Sequence, residues 1–285
     1  MLLFKEVDAL KHYLSRKKSE GLTIGFAPTM GALHQGHASL IEQAKSENDI
    51  CICSIFVNPI QFNDPKDLEK YPRTEANDIQ LLVGLDNDIL FYPTAKAIYP
   101  KGLAIPTFHF GSADKVMEGK FRPGHFDGVV KVVYRLLDIV QPDKLYMGQK
   151  DFQQFTLIQL MLNQMESVAQ LVVCPIIREE DGLALSSRNV RLSPENRKRA
   201  PMISEILQQL SIWLEEGLPI QNVTAKALSL LGEIPQFSPE YLEIVDGHTL
   251  QPISDMEDSN YVVVCAAVWA GNIRLIDNLI LKKND

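Results

Sequence analysis

Apolar runs separated by segments of helix length are the feature that most constrains how this 285-residue chain folds. Residues 49–57 form an unbroken apolar and β-branched run, which is typical of a strand buried on both faces. Comparable runs lie at residues 22–27, 87–92, 144–147 and 171–177, and each follows the previous one after enough residues for a helix. Strands that alternate with helices build a parallel sheet. We therefore predict an α/β fold with a doubly wound parallel sheet.

The last third of the chain has a different pattern. Ser193 and Pro194 supply a capping hydroxyl and a proline at the first helical position, so we predict a long helix from here to Glu216. A second helix is predicted near residues 223–231. Three strand-like runs follow, at residues 241–245, 261–268 and 273–275. This pattern predicts a separate, smaller α+β domain, so that the two predicted domains are residues 1–180 and 181–285.

The junction after the first apolar run reads Pro28-Thr29-Met30-Gly31-Ala32-Leu33-His34-Gln35-Gly36-His37. It joins a strand to a helix, and a helix N-terminus attracts anions because its first backbone N–H groups lack partners. Gly31 and Gly36 have no Cβ, so a ligand can approach the backbone closely. His34 and His37 lie three residues apart, so both imidazoles can face the same phosphate. The junction is therefore predicted to bind a nucleotide triphosphate.

Two other interpretations of the histidine pair compete with this one. A His-x-x-His spacing by itself matches many unrelated chains, in which the two rings are solvated or cap a helix. The pair could also bind zinc, but no third Cys, His or carboxylate ligand stands at a suitable spacing nearby. The position between a strand and a helix is what favours phosphate binding.

Charge and hydropathy exclude several classes of partner. The chain has 28 basic and 36 acidic residues, and its net charge of -8 opposes non-specific binding to nucleic acid or to an acidic membrane surface. Any polyanion that the protein handles must therefore be small. No apolar run approaches a membrane span, and the first residues lack the basic and apolar segments of a signal peptide. A cytoplasmic location is expected.

The cysteines are consistent with that compartment. Cys51 and Cys53 alternate inside one apolar run, and Cys174 and Cys265 lie in other strand-like runs. The two-residue spacing fits neither a thioredoxin-type redox pair nor a zinc knuckle, and strand neighbours two apart are poorly placed for a disulfide. We predict four buried free thiols without a chemical role.

Polar residues follow other predicted strands as well. The second run is followed by residues 58–62 and the fourth by residues 148–154, which together contain several carboxamides and a lysine. Residues 178–189 follow the fifth run and add the hydroxyls of Ser186 and Ser187 and the guanidinium of Arg188. Ligands of doubly wound sheets gather at the carboxyl ends of the strands. These segments are therefore expected to meet the histidine junction at one edge of the sheet.

In these segments the sequence resembles the pantothenate synthetase (pantoate-β-alanine ligase) family. That family belongs to the nucleotidylyltransferase superfamily, which shares its His-x-Gly-His signature with class I aminoacyl-tRNA synthetases. The resemblance covers nearly the whole chain. Its ordered motifs are residues 28–37, Val57-Asn58-Pro59-x-Gln61-Phe62, Tyr71-Pro72-Arg73-Thr74, Arg122-Pro123-x-His125-Phe126-x-Gly128-Val129, Gly148-x-Lys150-Asp151-x-Gln153-Gln154, and Asp181-Gly182-Leu183-Ala184-x-Ser186-Ser187-Arg188-Asn189.

The resemblance implies an AMP-forming ligase. Its first domain is then Rossmann-like and binds ATP and pantoate, and its second domain folds over the nucleotide as a lid. Pantoate and ATP would give pantoyl adenylate and pyrophosphate, and the amine of β-alanine would then displace AMP to give pantothenate. The implied catalytic residues are His37, as proton donor, with His34, Lys150 and Arg188. The implied ATP-binding residues are Met30, Gly31, Ala32, Leu33, His34, Gln35, Gly36, His37, Gly148, Gln149, Lys150, Asp151, Ile177, Leu185, Ser186, Ser187 and Arg188.

Physical chemistry indicates why such a site needs cations. Pantoate is already ionised at neutral pH, because carboxyl groups titrate near ~4, so the first step needs no general base. The difficulty is to bring two anions together, and Lys150 and Arg188 supply a mobile point charge and a planar fork for phosphate oxygens. Each also has a structural interpretation. Lys150 could pair with Asp151, and Arg188 could bridge to Glu179 or Glu180.

The pantoate and metal sites are also taken from the resemblance. Gln61 and Gln154 align with pantoate ligands, and a carboxamide suits hydroxyl and carboxylate partners because it both donates and accepts. Mg²⁺ is expected to bridge the phosphates of ATP, with Asp78 as the candidate protein ligand. Relatives carry further acidic residues after Thr74, whereas this chain has Glu75-Ala76-Asn77-Asp78. Relatives are dimers, so a homodimer is expected.

Two rival functions share part of this pattern. A nucleotidyl transferase that makes a dinucleotide-like product has the histidine signature but lacks the Gly-x-Lys-Asp and Ser-Ser-Arg pairing. A synthetase-derived nucleic-acid-binding module is opposed by the net acidity and by the lack of an aromatic, basic face. The small-molecule ligase is the prediction that accounts for all of the motifs.

Overall fold

A computed structural model of the chain describes residues 1–63 and 65–284. Within these residues the first sheet has six strands: β1 (Leu2–Phe4), β2 (Ile24–Thr29), β3 (Ile50–Ile55), β4 (Ile89–Phe91), β5 (Lys144–Gly148) and β6 (Gln170–Cys174). Their order is β1-β4-β3-β2-β5-β6, and all neighbours run parallel. The predicted α/β fold is confirmed. The short edge strand Leu2–Phe4 was not predicted.

Helices lie between these strands along the chain. They are α1 (Val7–Ser19), α2 (Gln35–Glu47), α3 (Pro65–Lys70), α4 (Glu75–Gly84), α5 (Ala95–Ile98), α6 (Met117–Phe121), α7 (His125–Val140) and α8 (Phe152–Gln164), with a 3-10 turn at Pro59–Gln61. Every residue of β3 is buried, as its unbroken apolar run predicts. The core around β3 includes Ala27, Ile41, Leu82 and Tyr146.

The chain changes direction between two adjacent strands of this sheet. β2 and β5 pair through Gly25 with Lys144 and through Phe26 with Leu145. From β2 the chain continues to β3 on one side, and from β5 it continues to β6 on the other. The carboxyl ends of β2 and β5 therefore flank a topological switch point, where doubly wound sheets bind ligands. The histidine junction directly follows β2.

The remaining elements build a second layer pair. They are α9 (Pro194–Arg199), α10 (Met202–Glu215), α11 (Ile220–Glu233), β7 (Phe237–Asp246), β8 (Tyr261–Ala270) and β9 (Ile273–Lys283), with 3-10 turns at Asn189–Arg191 and Met256–Asp258. The three strands form an antiparallel sheet in the order β7-β8-β9. Apolar side chains of α10 and α11 pack against it, among them Leu207, Leu210 and Val223. The predicted α+β pattern is confirmed.

One predicted helix is two helices. The sequence pattern predicts a continuous helix from Ser193 to Glu216, but α9 ends at Arg199 and α10 begins at Met202. The interruption lies at Pro201, which has no backbone N–H and cannot complete the hydrogen-bond ladder of a helix interior. The predicted start is confirmed, because Ser193 Oγ accepts a hydrogen bond from the Asn196 N–H at 3.2 Å.

The chain forms two compact units whose boundaries do not follow the sequence order. The first contains Met1–Gly111, Phe121–Gln149 and Leu157–Pro175, and the second contains Ser112–Lys120, Lys150–Thr156 and Ile176–Asp285. Glu118 explains why the early segment belongs to the second unit. Its carboxylate accepts hydrogen bonds from both terminal nitrogens of Arg274, at 2.8 and 2.6 Å, and from Tyr241 Oη at 2.8 Å.

The cysteines and the helices bear on two of the sequence-based expectations. All four cysteines are free and buried, as predicted. Burial raises the pKa of Cys51 to about 12 and that of Cys174 to about 11, so both thiols stay protonated near neutral pH. Among the residues described, no helix combines the length and apolar character that crossing a bilayer requires.

Candidate active site

The two histidines cap the helix that follows β2. We call residues 30–37 the histidine turn. His34 is the N-cap of α2, and its Nδ1 accepts a hydrogen bond from the Gly36 N–H at 3.1 Å. The Nδ1 of His37 accepts in turn from the His34 N–H at 3.3 Å, and the two rings lie 4.1 Å apart between centroids. The capping and the phosphate-facing interpretations of the pair are therefore compatible, because each ring has a second nitrogen.

These contacts fix the tautomer of both rings. A backbone N–H can only donate, so the Nδ1 atoms of His34 and His37 must act as acceptors and carry no proton. In the neutral imidazole the proton then sits on Nε2. Each ring therefore has an N–H donor on the side away from the cap, which is the kind of group that a developing negative charge requires.

The rest of the histidine turn is tied to α4. Asp78 Oδ2 accepts a hydrogen bond from the Ala32 N–H at 2.9 Å, and its Oδ1 accepts from the Leu33 N–H at 2.8 Å. Thr74 Oγ1 also donates to Oδ1 at 2.9 Å. Two backbone N–H groups that the sequence pattern offers to a phosphate are thus bonded to a carboxylate of the protein.

A chain of carboxamides lies beside the turn. Tyr99 Oη donates to Asn58 Oδ1 at 3.0 Å, and Asn58 Nδ2 donates to Gln61 Oε1 at 3.0 Å and to the Gly128 carbonyl at 3.1 Å. Gln61 Nε2 then contacts Met30 Sδ at 3.0 Å. The carbonyl fixes which atom of Asn58 is the nitrogen, and Asn58 in turn fixes Gln61. Gln61 consequently directs its amide N–H groups, not its oxygen, toward Met30.

Helix α7 supports the same carboxamides from its first turn. His125 Nδ1 lies 2.8 Å from the backbone carbonyl oxygen of Gln61. Gly128 allows the close approach, because a Cβ at this position would lie 2.5 Å from the Ile60 carbonyl oxygen and 2.6 Å from the Gln61 Cα. Both residues belong to the same sequence motif, whose role in supporting Gln61 the sequence did not reveal.

A cleft in the second unit brings two predicted residues together. Lys150, Ala184, Ser186, Asn189 and Asp277 are among the residues that line it. The backbone carbonyl of Lys150 accepts from Asn278 Nδ2 at 3.0 Å. Across residues 1–63 and 65–284, the ammonium of Lys150 forms no hydrogen bond or ion pair, so the alternative pairing with Asp151 is not observed. Asn189 Oδ1 is buried and accepts no hydrogen bond within the same described residues.

Other arginines neutralise the acidic groups near this cleft. Arg178 forms a bidentate ion pair with Asp277, at 2.7 and 2.9 Å, and also donates to the Gly182 carbonyl at 3.1 Å. Arg197 pairs with Glu179 at 2.6 Å and with Asp181 at 2.5 Å. The pairing with Arg197 lowers the pKa of Asp181. Glu179, one of the two acids considered as partners of Arg188, is therefore engaged by another arginine.

The predicted site residues divide between the two units. The first holds the histidine turn, Gln61, Asp78, Gly148 and Gln149; the second holds Lys150, Asp151, Gln154, Ile177 and residues 185–188. Sequence reasoning missed Tyr99, and it missed that Asn58 orients Gln61. Asn58 stands in a quoted motif, which is a signal, but nothing in the sequence around Tyr99 distinguishes it.

Comparison with known proteins agrees along the whole chain. The family model for pantoate-beta-alanine ligase matches residues 2–280. A pantothenate synthetase from Porphyromonas gingivalis is 48% identical over 279 residues, which cover 98% of this chain and 99% of that protein. The crystal structure of pantothenate synthetase from Thermus thermophilus has a TM-score of 0.92 at 39% identity, covering 99% of this chain and 100% of that chain.

A further solved structure carries ligands. The crystal structure of pantoate-beta-alanine ligase from Francisella tularensis, complexed with beta-gamma ATP and beta-alanine, has a TM-score of 0.81 at 38% identity and covers 100% of this chain and 99% of that chain. The family model, the relatives and the solved structures all agree with the resemblance carried by the sequence motifs. The chain belongs to the pantoate-β-alanine ligase family.

Proposed function

We propose that this protein joins pantoate to β-alanine in two steps that consume ATP. In the first step a carboxylate oxygen of pantoate attacks the α-phosphorus of ATP, and pyrophosphate leaves. In the second step the amine of β-alanine attacks the acyl carbon of pantoyl adenylate, AMP leaves, and the amine loses a proton. Membership of the family supports this reaction, and the related Francisella tularensis protein is complexed with beta-gamma ATP and beta-alanine.

The histidine turn is proposed to hold the phosphates through its imidazoles. The observation that carries this proposal is the capping arrangement, in which Nδ1 of His34 and of His37 accepts, so that Nε2 is the protonated nitrogen of each ring. Negative charge grows on the pyrophosphate oxygens as the bond to the α-phosphorus breaks, and fixed N–H donors stabilise that charge. His37, which the resemblance implies as the proton donor, is proposed to act as a hydrogen-bond donor through Nε2–H, because its Nδ1 accepts from the His34 N–H.

Lys150 and Arg188 are proposed to neutralise the remaining phosphate charge. The ammonium of Lys150 forms no hydrogen bond or ion pair within residues 1–63 and 65–284. Asp277 is paired with Arg178, and Glu179 and Asp181 are paired with Arg197. A lysine acts as a point charge and an arginine as a planar fork, so together they suit a group whose charge shifts during reaction. Ser186 and Ser187 are proposed to add hydroxyl donors.

Gln61 and Gln154 are proposed as the pantoate ligands. Gln61 directs N–H groups toward Met30, so the geometry favours an oxygen acceptor on the substrate, such as a hydroxyl or carboxylate oxygen. Gln154 lies in the first turn of α8 and is half-buried. Its role rests on the resemblance alone.

Magnesium fits the described protein residues poorly as a bound metal. Asp78, the candidate ligand, already accepts three hydrogen bonds. Within residues 1–63 and 65–284, no three His, Cys, Asp or Glu side chains cluster as potential metal ligands. Mg²⁺ commonly keeps water and phosphate oxygens as most of its ligands. We therefore assign no step of the reaction to a protein-bound metal.

Three other expectations stay predictions. They are the homodimer, the cytoplasmic location, and the division into residues 1–180 and a lid at residues 181–285. Sedimentation velocity measures the first directly. Limited proteolysis with and without ATP measures whether the second of these segments is protected when nucleotide binds.

The half-reaction with pantoate tests the proposed site. His37→Ala and Gln61→Ala are each expected to lower pantoate-dependent exchange of labelled pyrophosphate into ATP, by about 10²- to 10⁴-fold for the histidine. His12→Ala, at an exposed histidine of α1, is the control. Wild-type exchange in either site variant would contradict the assignment. Absence of pantothenate formation by the unmodified protein would instead reject the reaction itself.

A further inference from the structure

The carboxylate of Asp78 is buried against the histidine turn. Its side chain comes from the first turn of α4, and only 2% of the residue is exposed. Ala32 and Leu33 donate their backbone N–H groups to its two oxygens, and Thr74 donates its hydroxyl. A buried carboxylate is stable when such donors replace its water.

The backbone of the turn has the shape that binds an anion. Gly31 and Ala32 are consecutive residues in the left-handed region, with φ of +78° and +48°. Turns of this kind point successive N–H groups into one concavity that binds negative charge. A Cβ on Gly31 would lie 3.0 Å from Asp78 Oδ2, so the carboxylate fills this concavity. Ala32 is a non-glycine residue in a strained conformation, which the contact with Asp78 helps to hold.

A metal ion would compete with these contacts. Mg²⁺ requires near-octahedral oxygen ligands and usually retains several waters. The oxygens of Asp78 instead face the positive ends of two N–H dipoles and one hydroxyl. A carboxylate has about four lone-pair sites, and three of those of Asp78 already accept hydrogen bonds. A cation could therefore reach only the remaining site on Oδ2, in a residue that is 2% exposed.

We propose that Asp78 is a positioning residue for the histidine turn and not a magnesium ligand. The proposal rests on the proposed role of that turn in binding ATP. Leu33, which Asp78 holds, directly precedes His34, the N-cap of α2. Asp78 therefore fixes the start of the segment that carries both imidazoles. It does so although it lies 46 residues after Ala32 in the sequence.

The first test is Asp78→Asn. Asparagine keeps one oxygen but places an N–H₂ group opposite a backbone N–H, so one of the two contacts becomes a repulsion between donors. We expect kcat/KM for ATP to fall about a hundredfold, the loss expected when catalytic groups shift by about 1 Å. The Mg²⁺ concentration for half-maximal activity, measured at saturating ATP, is expected to stay at the wild-type value.

A second variant removes one donor and leaves the carboxylate in place. Thr74→Val has nearly the same shape and cannot donate to Asp78 Oδ1. We expect kcat/KM for ATP to fall about fivefold, which is the factor expected when one hydrogen bond is lost. The Mg²⁺ dependence is again expected to be unchanged. Asp86→Asn is the matched control, since 93% of the Asp86 side chain is exposed. Circular dichroism melting shows whether each variant is folded.

Several outcomes would overturn the proposal. One is an Asp78→Asn enzyme that needs about tenfold more Mg²⁺ and regains wild-type kinetics at high Mg²⁺, as expected of a lost metal ligand. Another is wild-type kinetics for Asp78→Asn under all conditions. If Asp78→Asn does not fold, wild-type kinetics for a folded Thr74→Val has the same meaning. The His37→Ala variant tests the ATP assignment separately. If its rate of pyrophosphate exchange equals that of the wild type, the histidine turn is not the ATP site, regardless of the results for Asp78→Asn.

Discussion

The two units differ in the kinds of contact made by side chains near their predicted site residues. In the first, neutral groups dominate: backbone N–H groups and a hydroxyl surround Asp78, imidazoles cap α2, and Tyr99 and Asn58 orient Gln61. In the second, charged pairs dominate, because Arg178 engages Asp277 and Arg197 engages Glu179 and Asp181. The difference matches the proposed roles, in which the first unit presents fixed donors and the second presents net charge.

The two kinds of contact follow from what each region is proposed to bind. A network of hydrogen bonds between neutral groups fixes the orientation of each donor. Donors of fixed orientation can recognise the oxygens of a small substrate. A phosphate group is better served by cations, and a cation is effective only where nearby carboxylates are already paired. Arg178 pairs with Asp277, and Arg197 pairs with Glu179 and Asp181, so these three carboxylates do not compete for the proposed cation Lys150.

The largest expected effect is the loss of the cation in the second unit. Lys150→Met keeps the length of the side chain and removes the charge, and we expect the rate of pyrophosphate exchange to fall about 10²- to 10³-fold. Lys198→Met, at an exposed lysine of α9, controls for the change in net charge. Equal exchange rates for the two variants would show that the charge of Lys150 does not contribute to the reaction. The proposed difference between the two units would then be wrong.

The next effect concerns stability in the second unit. Asp277 is only 5% exposed, and Arg178→Met would leave its carboxylate without a counter-ion. We expect the free energy of unfolding to fall by about 3 kcal/mol, as for other broken buried ion pairs. Trp213 and Trp269 both lie in this unit, so tryptophan fluorescence in urea measures it.

The double variant Arg178→Met, Asp277→Asn supplies the control for that measurement. Removing both charges leaves no uncompensated ion, so it is expected to cost less than the sum of the single changes. Additive losses would show that the pair is not coupled. The description of the second unit as one held by charged pairs would then be wrong.

Local pattern accounts for the parts of the molecule that sequence could predict. Strands β2 to β6, the position of the histidine turn after β2 and the burial of the cysteines follow from apolar runs and strand ends. These features depend on neighbours in the sequence, where periodicity is informative. Pro201 is also visible in the sequence, and it divides the predicted helix into α9 and α10.

Contacts between distant residues account for what sequence could not predict. The Ala32 to Asp78 contact spans 46 residues, the Tyr99 to Asn58 contact 41 and the Glu118 to Arg274 contact 156. A carboxylate that satisfies backbone donors and one that ligates a metal look alike in a sequence. Only the positions of the donors distinguish them, which is why the sequence could not show that Ala32, Leu33 and Thr74 donate to Asp78.

The smallest expected effect tests the neutral contacts of the first unit. Tyr99→Phe removes the donor to Asn58 Oδ1, so Asn58 can rotate and Gln61 loses its fixed orientation. Burial raises the pKa of Tyr99, so in the native protein the phenol remains a protonated donor at neutral and moderately alkaline pH. We expect KM for pantoate to rise about fivefold, the value of one hydrogen bond, with KM for ATP unchanged.

Tyr134→Phe is the matched control for Tyr99→Phe. Tyr134 packs against Phe108 with ring centroids 5.7 Å apart, and its hydroxyl has no hydrogen bond within residues 1–63 and 65–284. The control is expected to keep the wild-type KM for both substrates. An equal rise in KM for ATP and pantoate in Tyr99→Phe would indicate general loosening of the unit. A rise in KM for pantoate alone would show that the Tyr99 hydroxyl, acting through Asn58, sets the orientation of the Gln61 amide proposed to bind pantoate.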